Sequence, residues 1–265
     1  MVRAFGLADD PDLHRTVMLT HTPANEHVLA GLRNHDPAGF ADFVLARMQE
    51  KGMAPERAVV WVCPVAWVCP IVWGFSAIAR QLGFARVVED LIDDQRTWKA
   101  DEARRTRMEA EYRATLKAAD LVLTNCEGDR QRFLAMRPDL AVVANGAEFD
   151  PPADPPPVPA ALAALPRPVI GYVGNMRDRV DWDLVAEIAM ARPDWSIPMI
   201  GPLDKPEAAD AMEAHDNVHL LGPMEYETMR ACLRHFDVAI LPHRVDAMTD
   251  AMNPLKVYNY LAAER

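Results

Sequence analysis

The stretch MNPLKVYNYLA, residues 252–262, gathers residue types suited to an anionic ligand. Asn253 is a good N-cap residue and Pro254 fits the first helical position, so a helix is expected from Leu255 onward. The free amides at such a helix start, together with its dipole, favour negative charge, and a diphosphate suits them well. Lys256 falls in the first turn, and Asn259 and Tyr260, three and four residues on, share its face. Taken alone, these residues fit an ordinary capped surface helix at least as well. Arg177 and Arg179, in the loop after Gly174, and His243 and Arg244, just beyond Leu241, can face the same crevice. For them a solvated loop charge or a structural histidine is the plainer reading.

The elements that must position these groups alternate regularly. Strands are expected over residues 169–173, 197–200, 218–221 and 238–241, and each stops at a Gly or Pro: Gly174, Gly201, Gly222 and Pro242. Asp181 is expected to cap a helix carrying Trp182, Val185, Ile188 and Ala189 at helical spacing, and a second helix spans 226–235. That is half of a doubly wound sheet, which binds ligands at the carboxyl ends of its strands. Upstream, strands over 87–92, 121–124 and 141–143 flank a charged helix over 98–119, whose Tyr112 and Leu116 are expected to turn inward. The first 50 residues are less legible, with a strand expected at 16–20 and a helix at 37–51. Residues 151–168 hold eight of the chain's 22 prolines, too dense for a regular element, and read as a linker. Domains are therefore expected at 1–150 and 169–265.

Bulk properties narrow the function. A net charge of -11 and a pI near 5.2 argue against a partner held by its nucleic-acid backbone, which needs clustered Lys and Arg. Cys63, Cys69, Cys126 and Cys232 form no CxxC pair, so no metal knuckle or disulfide framework is expected, and a reducing cytoplasm fits. Arg3, Asp9, Asp10, Asp12 and Arg15 interrupt any leader-like apolar run at the start. Residues 58–79 are uncharged over a membrane-spanning length, but Pro64 and Pro70 would break such a helix twice, which favours a buried strand, a loop and a helix. Asp93 and Asp94 suit a cation-holding pair less well than a strand end and cap, because they precede the linker.

The segments PRPVIGYVGNMRDRVDWDLVAEIAMARPDWSIPMIGP, NVHLLGPMEYETMRACLRHFDVAILPHR and NPLKVYNYLAAER occur in that order and closely resemble the donor domain of GT4-like (group 1) glycosyltransferases. Upstream, VVEDLIDDQRTW, ADLVLTNC and VVANGAEFD look like the same group's segments before the linker. The likeness covers roughly residues 85–265. It implies an α/β fold of two Rossmann-like domains with parallel sheets (GT-B), short at the N-terminus and ending before the family's closing strand and helices. It implies sugar transfer from a nucleotide-diphosphate donor to a glycan, lipid-linked or small acceptor, with retention and without a metal. No cofactor beyond the donor is implied. A cytoplasmic location is expected, with peripheral membrane contact and a homodimer left open.

Carried over by residue, the resemblance sets Gly171 and Gly174 at the turn where backbone approaches the nucleotide, with Asn175 and Arg244 beside it. Asn253, Pro254, Leu255 and Lys256 would cradle the diphosphate, and Lys256, Arg177, Arg179 and His243 would carry the chemistry. Asn259 stands where the family has a Glu on the ribose hydroxyls, forgoing a charge-assisted bond worth about 1.5–3 kcal/mol. Ala251, eight residues upstream, replaces the other acidic residue of the family's pair. These departures keep a second class in view: a catalytically impaired fragment serving as a binding module.

Overall fold

The computed structural model describes residues 2–5, 16–19, 37–63, 72–98, 101–149, 154–204 and 206–265. The chain divides into two compact units, 1–144 and 145–265.

In the first unit, β1 (Val2–Phe5) and β2 (Thr16–Leu19) form an antiparallel pair. A separate parallel sheet runs β3 (Val59–Val62), β4 (Arg86–Leu91), β5 (Leu121–Thr124) and β6 (Ala141–Val142), in that order. Helices α1 (Pro37–Glu50), α2 (Val72–Gln81), α3 (Glu102–Ala118) and α4 (Glu127–Phe133) connect them. Val62, Val87, Leu91, Tyr112, Leu116, Val122 and Phe133 meet in its core.

The uncharged stretch at 58–79 resolves into β3 and the start of α2, while 64–71, with Pro64, Cys69 and Pro70, lies outside the described residues. Among the described residues no helix is long and apolar enough to cross a membrane. The charged helix starts later than its pattern predicts. A single 3-10 turn, Gln95–Thr97, precedes it, and Asp101 caps α3 by accepting from the Arg104 amide at 2.7 Å.

In the second unit the strands are β7 (Ile170–Val173), β8 (Ile197–Ile200), β9 (Val218–Gly222) and β10 (Val238–Ala239), all parallel. Every residue of β7 and β8 is buried, as expected for central strands covered on both faces. Helices α5 (Ala160–Ala163), α6 (Trp182–Ala191), α7 (Pro206–Met212), α8 (Tyr226–His235), α9 (Ala247–Asp250) and α10 (Leu255–Ala262) complete it. The proline-rich stretch does hold one helical turn, α5, because Leu162 is drawn into the core beside Val169, Leu233 and Phe236. Asp181 caps α6, accepting from the Leu184 amide at 3.1 Å.

The sheet order is β10-β7-β8-β9. The chain runs outward from β7 to β9 and then returns to the other side of β7. The reversal of strand order falls between β7 and β10, and in such sheets ligands are taken at the carboxyl ends of the strands beside that switch point. Pairing of β10 stops earlier than its apolar run because the chain turns sharply there, the His243 amide donating to Leu241 O at 2.8 Å.

Candidate anion site at the sheet switch point

The loops from β7 and β10 are stitched to each other. The Asp181 amide donates to Pro242 O at 2.8 Å and the Arg244 amide to Arg179 O at 2.9 Å, and Val180 bridges His243. This brings Arg179 and His243 to one place. Helix α10 supplies the third group, since the Lys256 side chain crosses directly over Gly174. A Cβ on Gly174 would fall 1.8 Å from Lys256 Cε, so any larger residue would push the lysine aside, and its φ of 150° is one that other residues rarely adopt. Gly201, at the end of β8, is held to the same requirement: its φ is 141° and a Cβ there would meet the Gly174 carbonyl at 2.0 Å.

Lys256 Nζ stands 5.6 Å from the Tyr172 ring centre, within cation–π range. Burial, and then the Arg179 charge, push its pKa down to about 8. His243 is held at about 4 by burial and by the charges of Lys256 and Arg179, so its imidazole is neutral at pH 7. Its Nε2 is buried with no hydrogen-bond partner among the described residues. The Arg179 side chain donates, among the described residues, only to a weak acceptor, Met252 Sδ at 3.8 Å. Among the described residues no carboxylate pairs with Lys256 or Arg179, although ion pairs are frequent elsewhere. The two cations, beside a neutral imidazole that packs edge-on to Tyr172, leave a local positive potential in a chain that is acidic overall.

The helix start adds to it. The helix begins at Leu255, as expected, but Pro254 and not Asn253 stands in the cap position. Pro254 has no side-chain acceptor to offer, and Asn253 is used differently: its carboxamide exchanges hydrogen bonds with the Tyr258 hydroxyl at 3.0 and 3.1 Å. The Asn253 carbonyl accepts from Asn145 Nδ2 at 2.8 Å. Among the described residues the Leu255 and Lys256 amides donate to no protein acceptor, the condition an anion needs.

Other expected residues are placed differently. Gly171 is not at a turn. It lies inside β7, and a Cβ there would meet the Phe236 ring at 2.2 Å, so its smallness serves packing of α8 on the sheet. Arg177 pairs with Asp204 at 2.7 Å instead of joining Lys256, and Arg244 is exposed and meets the site through its backbone. The Asn175 carbonyl accepts from the Tyr172 hydroxyl at 3.2 Å. Asn259 donates to Leu255 O at 3.2 Å and lines a groove of about 480 Å³ with Gly146, Ala147, Glu148, Tyr226 and Leu255. That is the size of a small-ligand site. Sequence reading missed Tyr172, Met252 and Asn145 as parts of this site; the Asn145-Gly146 turn signal was visible, but not where it would land.

In the first unit Asp94 caps the 3-10 turn and binds Arg96 instead of facing a cleft. Among the described residues no group of His, Cys, Asp and Glu is arranged to hold a metal ion.

Comparison with known proteins agrees with this architecture. No family model matches the chain. It is 23% identical over 207 residues to TuaH of Bacillus subtilis (strain 168), which carries a provisional assignment as a teichuronic acid biosynthesis glycosyltransferase. The match takes in 72% of this chain and 51% of TuaH, so the chain spans about half the length of that relative. Among solved structures, Anabaena HepE in complex with UDP and glucose aligns with a TM-score of 0.57 at 13% identity, over 83% of this chain and 64% of that one. The pneumococcal O-GlcNAc transferase GtfA, in complex with UDP and GlcNAc, gives 0.54 at 10% identity over 83% and 43%. A UDP-forming trehalose-phosphate synthase from Burkholderia xenovorans gives 0.53 at 15% identity over 89% and 64%. The chain has the GT-B fold, and in sequence and architecture it resembles the glycosyltransferases built on that fold.

Proposed function

We propose that the chain transfers a sugar from a nucleotide-diphosphate donor, and that the crevice between β7 and β10 holds the diphosphate. The observation that carries this reading is the group of Lys256, Arg179 and neutral His243 beside the amides of Leu255 and Lys256, with no carboxylate on the cations and no acceptor on the amides among the described residues. The groove past Leu255, with Tyr226 for the base and Asn259 for the ribose, takes the nucleoside. Asn259 offers its carboxamide where a carboxylate would bind more strongly, so donor affinity is modest.

In the transfer, the bond from the sugar's anomeric carbon to the β-phosphate oxygen breaks and its electron pair stays on the diphosphate. Lys256, Arg179 and the helix amides stabilise that growing charge, which is where fixed positive potential accelerates the step most. The acceptor hydroxyl bonds to the same carbon, on the face the diphosphate leaves, and passes its proton to the departing phosphate. Retention follows, with no carboxylate nucleophile and no metal. The likeness to a teichuronic acid biosynthesis protein supports a polysaccharide or lipid-linked acceptor met at the cytoplasmic membrane face.

Thermal denaturation with UDP and GDP tests this reading. A nucleotide at one hundred times its Kd is expected to stabilise the protein by about 2.7 kcal/mol, and Lys256→Ala is expected to abolish the response. The absence of any nucleotide response, with concentration-dependent self-association, would instead favour a non-catalytic binding module.

A further inference from the structure

We propose that Tyr260 is a positioning residue: its hydroxyl clamps both backbone groups of Val173 and so fixes the Lys256 side chain over Gly174. The Val173 amide donates to Tyr260 Oη at 3.1 Å, and Tyr260 Oη in turn donates to the Val173 carbonyl at 3.3 Å. In a parallel sheet these two groups would normally pair with the neighbouring strand. Here β10 matches β7 only at Ile170 and Gly171, with one further bond from the Ile240 amide to Gly171 O. Among the described residues the last residue of β7 therefore has no strand to pair with on that side, and burial makes an unpaired amide or carbonyl costly. The tyrosine hydroxyl, able to give and accept at once, fills the place of the missing strand.

The consequence for the site comes from helix geometry. Tyr260 follows Lys256 by four residues, one turn, on the same face of α10. Val173 precedes Gly174 by one. Two successive turns of α10 thus meet two successive residues of the strand end: hydroxyl on Val173, then lysine stem on Gly174. The Tyr260 ring is itself buried, in the same core cluster as Val169, Ile200, Cys232, Leu233 and Phe236, which restrains the clamp. Sequence alone gives Tyr260 a place on the lysine's face but no task.

The proposal rests on the diphosphate reading for its value to function, yet its test can be read without any nucleotide. With lysines 13C-labelled at Cε, NMR titration of unliganded protein follows Lys256, assigned by comparison with Lys256→Met. Its midpoint is expected near 8 in the wild type and shifted toward 10.5 in Tyr260→Phe, as the freed side chain swings into water. The same variant is expected to bind UDP or GDP at least tenfold more weakly. An unchanged midpoint in folded Tyr260→Phe overturns the proposal, whatever the melting temperature does. A wild type that binds no nucleotide while the midpoint still moves rejects the donor reading and leaves the clamp standing. Should Tyr260→Phe not fold, hydrogen exchange on the wild type decides: protection of the Val173 amide equal to that of central β8 supports the clamp, and fast exchange removes it.

Discussion

Arg96 in the first unit and Lys256 in the second are both cations drawn largely out of water. Arg96 is surrounded: it donates to Asp94 twice at 2.8 Å and to Glu109 at 2.9 Å, and its guanidinium lies 4.6 Å from the Phe133 ring centre. Burial opposes its charge, but the bonds to Asp94 and Glu109 outweigh burial and raise its pKa. Lys256 has the reverse environment: burial and a second cation, offset among the described residues by the Tyr172 ring. Among the described residues Arg96 comes with carboxylate counter-ions, whereas Lys256, proposed above to hold an anion, has none, and that difference sends the two pKa values in opposite directions.

The contrast can be broken most forcefully at Arg96. Arg96→Met leaves Asp94, only 4% exposed, as a buried carboxylate without its cation, and is expected to cost about 3 kcal/mol in urea denaturation, with nucleotide affinity unchanged. Lys256→Met is expected to act with the opposite sign. The fall of its pKa from 10.5 to about 8 sets a ceiling of about 3 kcal/mol on the strain at pH 7, and solvent screening brings the expected gain in stability to about 1 kcal/mol. Nucleotide binding is expected to be lost in the same variant. A destabilised Lys256→Met would mean that the lysine is structural and that the two sites do not differ as argued.

The pH dependence sharpens the same point. Between about 8 and 10.5 the unfolded chain holds the Lys256 proton and the folded one does not, so stability of the unliganded protein rises with pH across that window. Nucleotide affinity moves the other way, falling up to tenfold per pH unit above about 8, and both trends should be flat in Lys256→Met. The smallest effect is expected at Asn145, whose carboxamide holds the Asn253 carbonyl ahead of the helix start. Asn145→Ala should weaken nucleotide binding about threefold, worth roughly 0.6 kcal/mol, with stability nearly unchanged.

Much of the second unit could be read from residue order. The strand at 197–200 and the helix at 226–235 fall where periodicity sets them, because Ile-Pro-Met-Ile is apolar on both faces and Met229, Cys232, Leu233 and Phe236 recur at helical spacing. Lys256 was visible too, as a basic residue in the first turn of a helix. Gly171 was misread: a glycine between apolar residues looks the same whether it faces a ligand or a phenylalanine ring. Arg177 and Arg179, two residues apart in one loop, are alike in composition, yet one meets Asp204 and the other stands by Lys256. The first 50 residues carried little pattern, and only 2–5, 16–19 and 37–50 of them are described.

By itself, then, the amino-acid sequence determined the alternation of strand and helix, the helix near the carboxyl end and the presence of basic groups around strand ends. Those properties depend on neighbours three or four residues away, through backbone sterics and the two periodicities of side-chain burial. Tertiary structure alone decided which basic groups meet, which of them lose water, and which find a carboxylate. The bonds responsible join residues far apart in the chain, 87 positions between Val173 and Tyr260 and 108 between Asn145 and Asn253. Pairings at that range are set by how the sheet closes its core, and no local spacing encodes them.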